Sequence, residues 1–101
     1  MGPFERRYRP EYAYELVEIA QGDLDSAEAL AAAARGRREN VLYLAHQVVE
    51  KCLKALICHG GQPVTHTHDL EALVTALPAK FGKPPHADLL PGLTEYSLVR
   101  P

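Results

Sequence analysis

Gln47, Glu50, Lys51 and Lys54 place an amide, a carboxylate and two ammonium groups within one eight-residue span. At about 100° per residue, a helix through them would carry all four on one side. Two chemistries fit. In the first, the stripe is a solvated face steadied by Glu50 and Lys54, an i,i+4 pair contributing about 0.2–0.5 kcal/mol. In the second, the stripe lines a groove in which Lys54 meets a phosphate as a point charge, alone or across a dimer axis.

His68 and Asp69 follow, and they too admit two readings. Asp69 can favour a helix start through the dipole while His68 bonds neighbouring backbone. Alternatively, His68 is an imidazole titrating near neutral pH beside backbone N–H groups able to receive an anion. Cys58, His59, His66 and His68 are of zinc-ligating types. Their spacing matches no structural-zinc pattern, and Gly60-Gly61-Gln62-Pro63 between them suits a loop, so no metal or other cofactor is expected. Near the N-terminus, Arg6, Arg7, Arg9, Tyr8, Tyr12 and Tyr14 could pair with and stack on RNA. A terminal segment that merely packs or frays is the plainer account.

Helices must position these groups. Ala13, Leu16, Val17, Ala20, Leu24, Ala27, Leu30, Ala31 and Ala34 recur at spacings of three and four, predicting a helix from about Glu11 to Ala34. Gly22 costs that helix about 1 kcal/mol relative to Ala without breaking its phase. Arg35-Gly36-Arg37-Arg38 ends it, with Gly36 suited to a left-handed position. The second helix runs from about Glu39 to His59. Leu42, Leu44, Ala45, Val48, Val49, Cys52, Leu53, Ala55 and Leu56 cover half of its wheel or more. Tyr43, Gln47, Glu50, Lys51 and Lys54 take the remaining arc. An edge helix needs an apolar stripe of only about 100°, so this one is central in a bundle, at a subunit interface, or both. A third helix starts after His68, capped by Thr67 or Asp69, buries Leu70, Leu73, Val74 and Leu77, and is stopped or kinked by Pro78. A fourth is expected over about His86 to Val99, with Pro91 and Gly92 disturbing its first half. Antiparallel helices on short connections give an all-α, up-and-down bundle of about four helices in one domain, residues 1–101.

The formal charge of −2 exerts no global pull on nucleic acid, so an RNA ligand would need a local basic patch. The segment Met1 to Arg7 has no apolar core behind its charges, as a signal peptide would, and no stretch reaches the length of a membrane span. Cys52 and Cys58, six residues apart on one helix, cannot meet there. Reduced thiols in the cytoplasm follow, with Cys52 buried and Cys58 near the helix end.

The run from Ala45 to Ile57, with Gln47, Glu50-Lys51 and Leu53-Lys54-Ala55, then Gly61 and His68-Asp69-Leu70, resembles the signature of the HEPN family (higher eukaryotes and prokaryotes nucleotide-binding). Asp23 to Ala27, and Leu93 to Pro101 with Arg100, have the same character, so the resemblance covers most of the chain. It implies a helical bundle that forms homodimers and partners a small nucleotidyltransferase, or binds nucleotide or RNA, in some prokaryotic members within a toxin–antitoxin pair. Lys51, Lys54, His68 and Arg100 are then the nucleotide- or RNA-binding candidates, with Gln47, Glu50 and Asp69 supporting the motif. The alternative implied by the family is a metal-independent endoribonuclease, whose members use an Arg followed four to six residues later by a His. Arg35, Arg37 and Arg38 have no His at that spacing, His46 lies too far on, and only Pro101 follows Arg100. The final helix usual in the family is also absent from this sequence. The chain is then either truncated or a reduced member of the family, and in both cases catalysis is disfavoured.

Overall fold

The computed structural model describes residues 10–33 and 38–95. Among them are four α-helices: α1 (Pro10–Ala33), α2 (Arg38–His59), α3 (Leu70–Ala76) and α4 (Leu90–Thr94). Single 3-10 turns occupy Ala79–Phe81 and Ala87–Leu89. No strand occurs among the described residues. The architecture is the expected all-α bundle, built from a long hairpin and two short helices. Arg6, Arg7, Tyr8, Arg9, Ala34, the Gly36 turn, Tyr96, Val99 and Arg100 lie outside the described residues.

Helices α1 and α2 are antiparallel: Ala13 and Leu16, early in α1, share a core cluster with Ala55 and Cys58, late in α2, and with Val64 beyond it. Small residues on α1 (Ala13, Ala20, Ala27) are buried along this seam, where an alanine lets two helix backbones approach. Val17 and Leu24, which share the apolar pattern of α1, are 52% and 39% exposed. The second cluster joins Leu53 and Ile57 of α2 to Leu70 and Leu73 of α3 and Leu90 of α4. Leu70 and Leu73 are completely buried, so this seven-residue helix is held by its packing rather than by its own length.

The ends of the elements follow from their residues. Gly61 takes φ +86°, and the Gln62 and Gly61 amides return to the Ile57 and Cys58 carbonyls at 3.1 and 3.0 Å. This is the Schellman pattern that closes a helix with a left-handed glycine. Gly60 is needed for a different reason: a Cβ there would come within 2.5 Å of Pro78 Cγ. Asp69 caps α3 by accepting from the Glu71 amide at 3.0 Å, and α3 stops at Ala76, two residues before Pro78. The fourth helix is shorter than the sequence pattern suggests. A 3-10 turn precedes it, and Pro91 sits in its first turn, where a missing N–H costs nothing.

Two expectations about α2 are overturned. Cys52 is exposed and Cys58 is the buried cysteine, and neither is in a disulfide. The polar arc is also not a solvated face, because Glu50 and Lys54 are buried together with His46. Both reversals have one cause. One edge of the apolar arc packs on α1 through Ala55, and the other packs on α3 and α4 through Leu53. Cys52 and Leu56, in the middle of that arc, stay exposed and belong to neither buried cluster. The segment preceding α3 crosses the polar arc instead.

Candidate functional site

His46, Glu50 and Lys54 are spaced i, i+4, i+8 and form a slowly turning stripe on α2. His46 is fully buried and Glu50 is 2% exposed. A carboxylate taken from water needs partners on both oxygens, and Glu50 has them. Lys54 Nζ donates to Oε2 at 2.9 Å, and the Nδ1 of His68 meets Oε1 at 2.9 Å. Burial by itself would raise the Glu50 carboxyl, but the hydrogen bonds from His68 and Lys54 outweigh it and hold the group below its ordinary range. Glu50 is therefore an acceptor, which puts the proton of this bond on His68 Nδ1.

His46 supports the same arrangement from behind. Its Nε2 lies 2.9 Å from the backbone carbonyl of His68, and a carbonyl only accepts, so Nε2 carries a proton. Its Nδ1 is buried with no hydrogen-bond partner and stands 3.6 Å from Glu50 Oε1, beyond bonding range. Burial pushes the His46 imidazole down, partly opposed by its bond to the His68 carbonyl. The ring is thus held neutral, with a lone pair on Nδ1.

The loop holding His68 is braced on both sides. Thr67 Oγ1 accepts from the Asp69 amide at 3.0 Å, Asp69 caps α3, and Thr94 Oγ1 of α4 accepts from the Leu70 amide at 3.2 Å. The His68 side chain itself stays 56% exposed. Its Nδ1 points inward to Glu50, so Nε2, on the far side of the ring, points away from the carboxylate.

Of the residues singled out in the sequence, Glu50, Lys54 and His68 come together. Lys54 is 8% exposed and committed to Glu50. Lys51 and Gln47 bond each other at 2.6 Å on the adjoining face of α2, with Lys51 half-buried. Asp69 serves as the cap. His46, weighed in the sequence only in relation to the arginines, turns out to be the buried brace of the site. Its i−4 spacing from Glu50 was the available signal. Cys58 and His59 are not gathered with His66 and His68, and no group of three or more His, Cys, Asp or Glu residues suited to a metal ion occurs among the described residues. No helix there is long and apolar enough to cross a membrane.

A second feature is apolar. Tyr14 and Val17 of α1 with Cys52, Leu56 and His59 of α2 line a cavity of about 380 Å³. A larger groove of about 920 Å³ lies across Cys52 and Leu56, bounded by Val49, Leu89 and Leu93. Tyr14, Leu56 and Leu89 are 70%, 38% and 63% exposed. An uncovered apolar strip, expected from the wide arc of α2, is therefore present.

A long antiparallel hairpin, completed by two short helices and pinned to them through a buried Glu–Lys–His cluster, defines a small all-α bundle protein with three polar residues of α2 organised inside it. Residues 13–97 match the HEPN domain, and the chain belongs to that family. No curated protein and no solved structure matches it. At family level this is a nucleotide- or RNA-related module.

Proposed function

We propose that the chain is an interaction module that binds nucleotide or RNA and partners a small nucleotidyltransferase within a toxin–antitoxin pair, without cleaving RNA itself. One observation carries the binding part: His68, exposed next to a helix face bearing Lys51, is fixed by two buried side chains of α2, its ring by Glu50 and its carbonyl by His46. An ordinary surface histidine needs no such anchoring. In this reading Lys51 and His68 meet the ligand directly, and Lys54 sets the charge behind them through Glu50. Gln47 orients Lys51 and Asp69 holds the loop. Arg100, outside the described residues, is the remaining ligand-binding candidate. A second copy of the chain covers the apolar strip, giving a homodimer.

General acid–base cleavage of a phosphodiester needs a proton-transferring group and a free cation beside the developing charge. Lys54 is spent on Glu50, and none of Arg35, Arg37 and Arg38 is followed by a His at the family's spacing. The test uses labelled single-stranded RNA with chelator present. Anisotropy should rise at low salt and fall as salt increases, Lys51→Ala should weaken binding, and the RNA should stay intact. Absence of binding at low salt defeats the reading. Cleavage that disappears in His68→Ala promotes the endoribonuclease reading in its place. Co-purification with a small nucleotidyltransferase from the neighbouring reading frame tests the partner.

A further inference from the structure

The hydrogen bonds around His68 settle more than its position. An ionised Glu50 can only accept, so the neutral His68 ring keeps its proton on Nδ1. The outward Nε2 of that ring then carries a lone pair and can accept a hydrogen bond. Side chain and main chain of His68 are both fixed, the ring by Glu50 and the carbonyl by His46. The price of ordering a group at the surface has been met in the fold, which is what preorganisation for a ligand requires. A fixed acceptor selects a donor. The donors that distinguish a ribonucleotide are its ribose hydroxyls, the 2′-hydroxyl above all.

We propose that His68 Nε2 is a hydrogen-bond acceptor for a ribose hydroxyl of a bound nucleotide, with Glu50 the positioning residue that fixes the ring tautomer. This rests on the nucleotide-binding reading above and adds the part of the ligand that is read. Thr67 and Asp69 contribute by bracing the loop. Lys54 contributes by neutralising Glu50, so the pair behind the ring carries no net charge. His68 therefore acts through direction rather than through attraction for an anion.

The experiment follows the histidine ring nitrogens by NMR in mildly alkaline buffer, using the full chain labelled with ¹⁵N. The titrants are adenosine 5′-monophosphate, its 2′,3′-dideoxy form and inorganic phosphate. In the free protein, His68 should show a protonated Nδ1 and an unprotonated Nε2. The ribonucleotide should shift Nε2, and the dideoxy form should bind roughly three- to tenfold more weakly, as loss of one ligand hydrogen bond implies. His68→Ala should abolish that difference between the two nucleotides. Glu50→Gln, where it folds, should mix the two tautomers and narrow the difference. Equal binding of both nucleotides, an Nε2 that does not move, or an equal response to inorganic phosphate overturns the assignment while leaving nucleotide binding standing. Failure of every nucleotide and of RNA to bind removes the functional reading, and this inference with it.

Discussion

The two sides of α2 invert the usual pattern of a bundle helix. On one side His46, Glu50 and Lys54 are sealed beneath the segment that enters α3; on another, Cys52 and Leu56 face outward. Charged residues are seldom buried unless paired, whereas an exposed leucine is ordinary by itself. The lesson is that the buried side is an internal junction and the open side an external one. Polar partners within the chain have been found for the first. The second is an apolar surface left exposed among the described residues.

The largest effect should come from breaking the buried junction. Glu50→Leu leaves the Lys54 ammonium buried without its carboxylate and frees the His68 ring. Removing one member of a buried pair costs about 3–5 kcal/mol. The lower end is expected, because the Lys54 side chain is 11% exposed and can reach toward solvent. The double change Glu50→Leu with Lys54→Met should recover most of that loss, since apolar replacement of a whole pair is often neutral. Urea unfolding of the three proteins measures both numbers. A Glu50→Leu variant as stable as the parent would show that the cluster contributes nothing to the fold.

How much of this was legible in the sequence depends on distance along the chain. The α1–α2 hairpin, the glycine stop at Gly61 and the Asp69 cap rest on local patterns, and each was readable. The family was readable too, from the run through Glu50-Lys51 to His68-Asp69-Leu70. The burial of Glu50 was not. A helical wheel separates polar from apolar arcs, but it does not say which arc meets a segment 18 residues away, and here the contact is His68 on Glu50. Cys52 was assigned to the wrong environment for the same reason, while Cys58 lies near the helix end as expected. Cys52 shares an arc with Leu53 and Leu56, but only Leu53 is covered, because α3 and α4 approach from that edge. Pro91 and Gly92 discouraged a helix where a short one forms, because proline in a first turn loses no hydrogen bond.

Acid should sharpen the same comparison with an intermediate effect. His46 is held neutral, so its folded-state affinity for a proton lies below the ordinary 6.5. Between those two values the unfolded chain binds more protons than the folded one, so stability falls as pH drops below about 6.5. Glu50 works in the same direction lower down: its folded value lies below 4.5, and its contribution is lost as pH falls through that lower range. His46→Gln should flatten the first limb and leave the second in place. Its amide can still donate to the His68 carbonyl, which limits the cost at neutral pH. Thermal unfolding across pH 7 to 4 reads this directly. An unchanged first limb in the variant would assign it to another histidine.

The smallest effect on the fold, and the most informative about the open side, belongs to Leu56→Glu. Leu56 is 38% exposed, lines both apolar cavities, and belongs to neither buried core cluster. Surface substitutions away from packed features usually change stability by no more than about 0.5 kcal/mol. The unfolding midpoint of the isolated chain should therefore barely move. Association is a different matter, since a carboxylate in the centre of an apolar contact must be desolvated without a partner. If two copies pair through the strip of Tyr14, Val17, Cys52, Leu56 and Leu89, the two-fold axis brings the substitution in twice. Light scattering at micromolar concentration should then give about twice the chain mass for the parent and a single chain mass for Leu56→Glu. A monomeric parent would remove the homodimer and leave the strip to a different partner. A dimeric Leu56→Glu would place the contact elsewhere on the surface. A large loss of stability in the monomeric variant would mean that Leu56 belongs to the core after all, and the contrast between the two sides of α2 would fail.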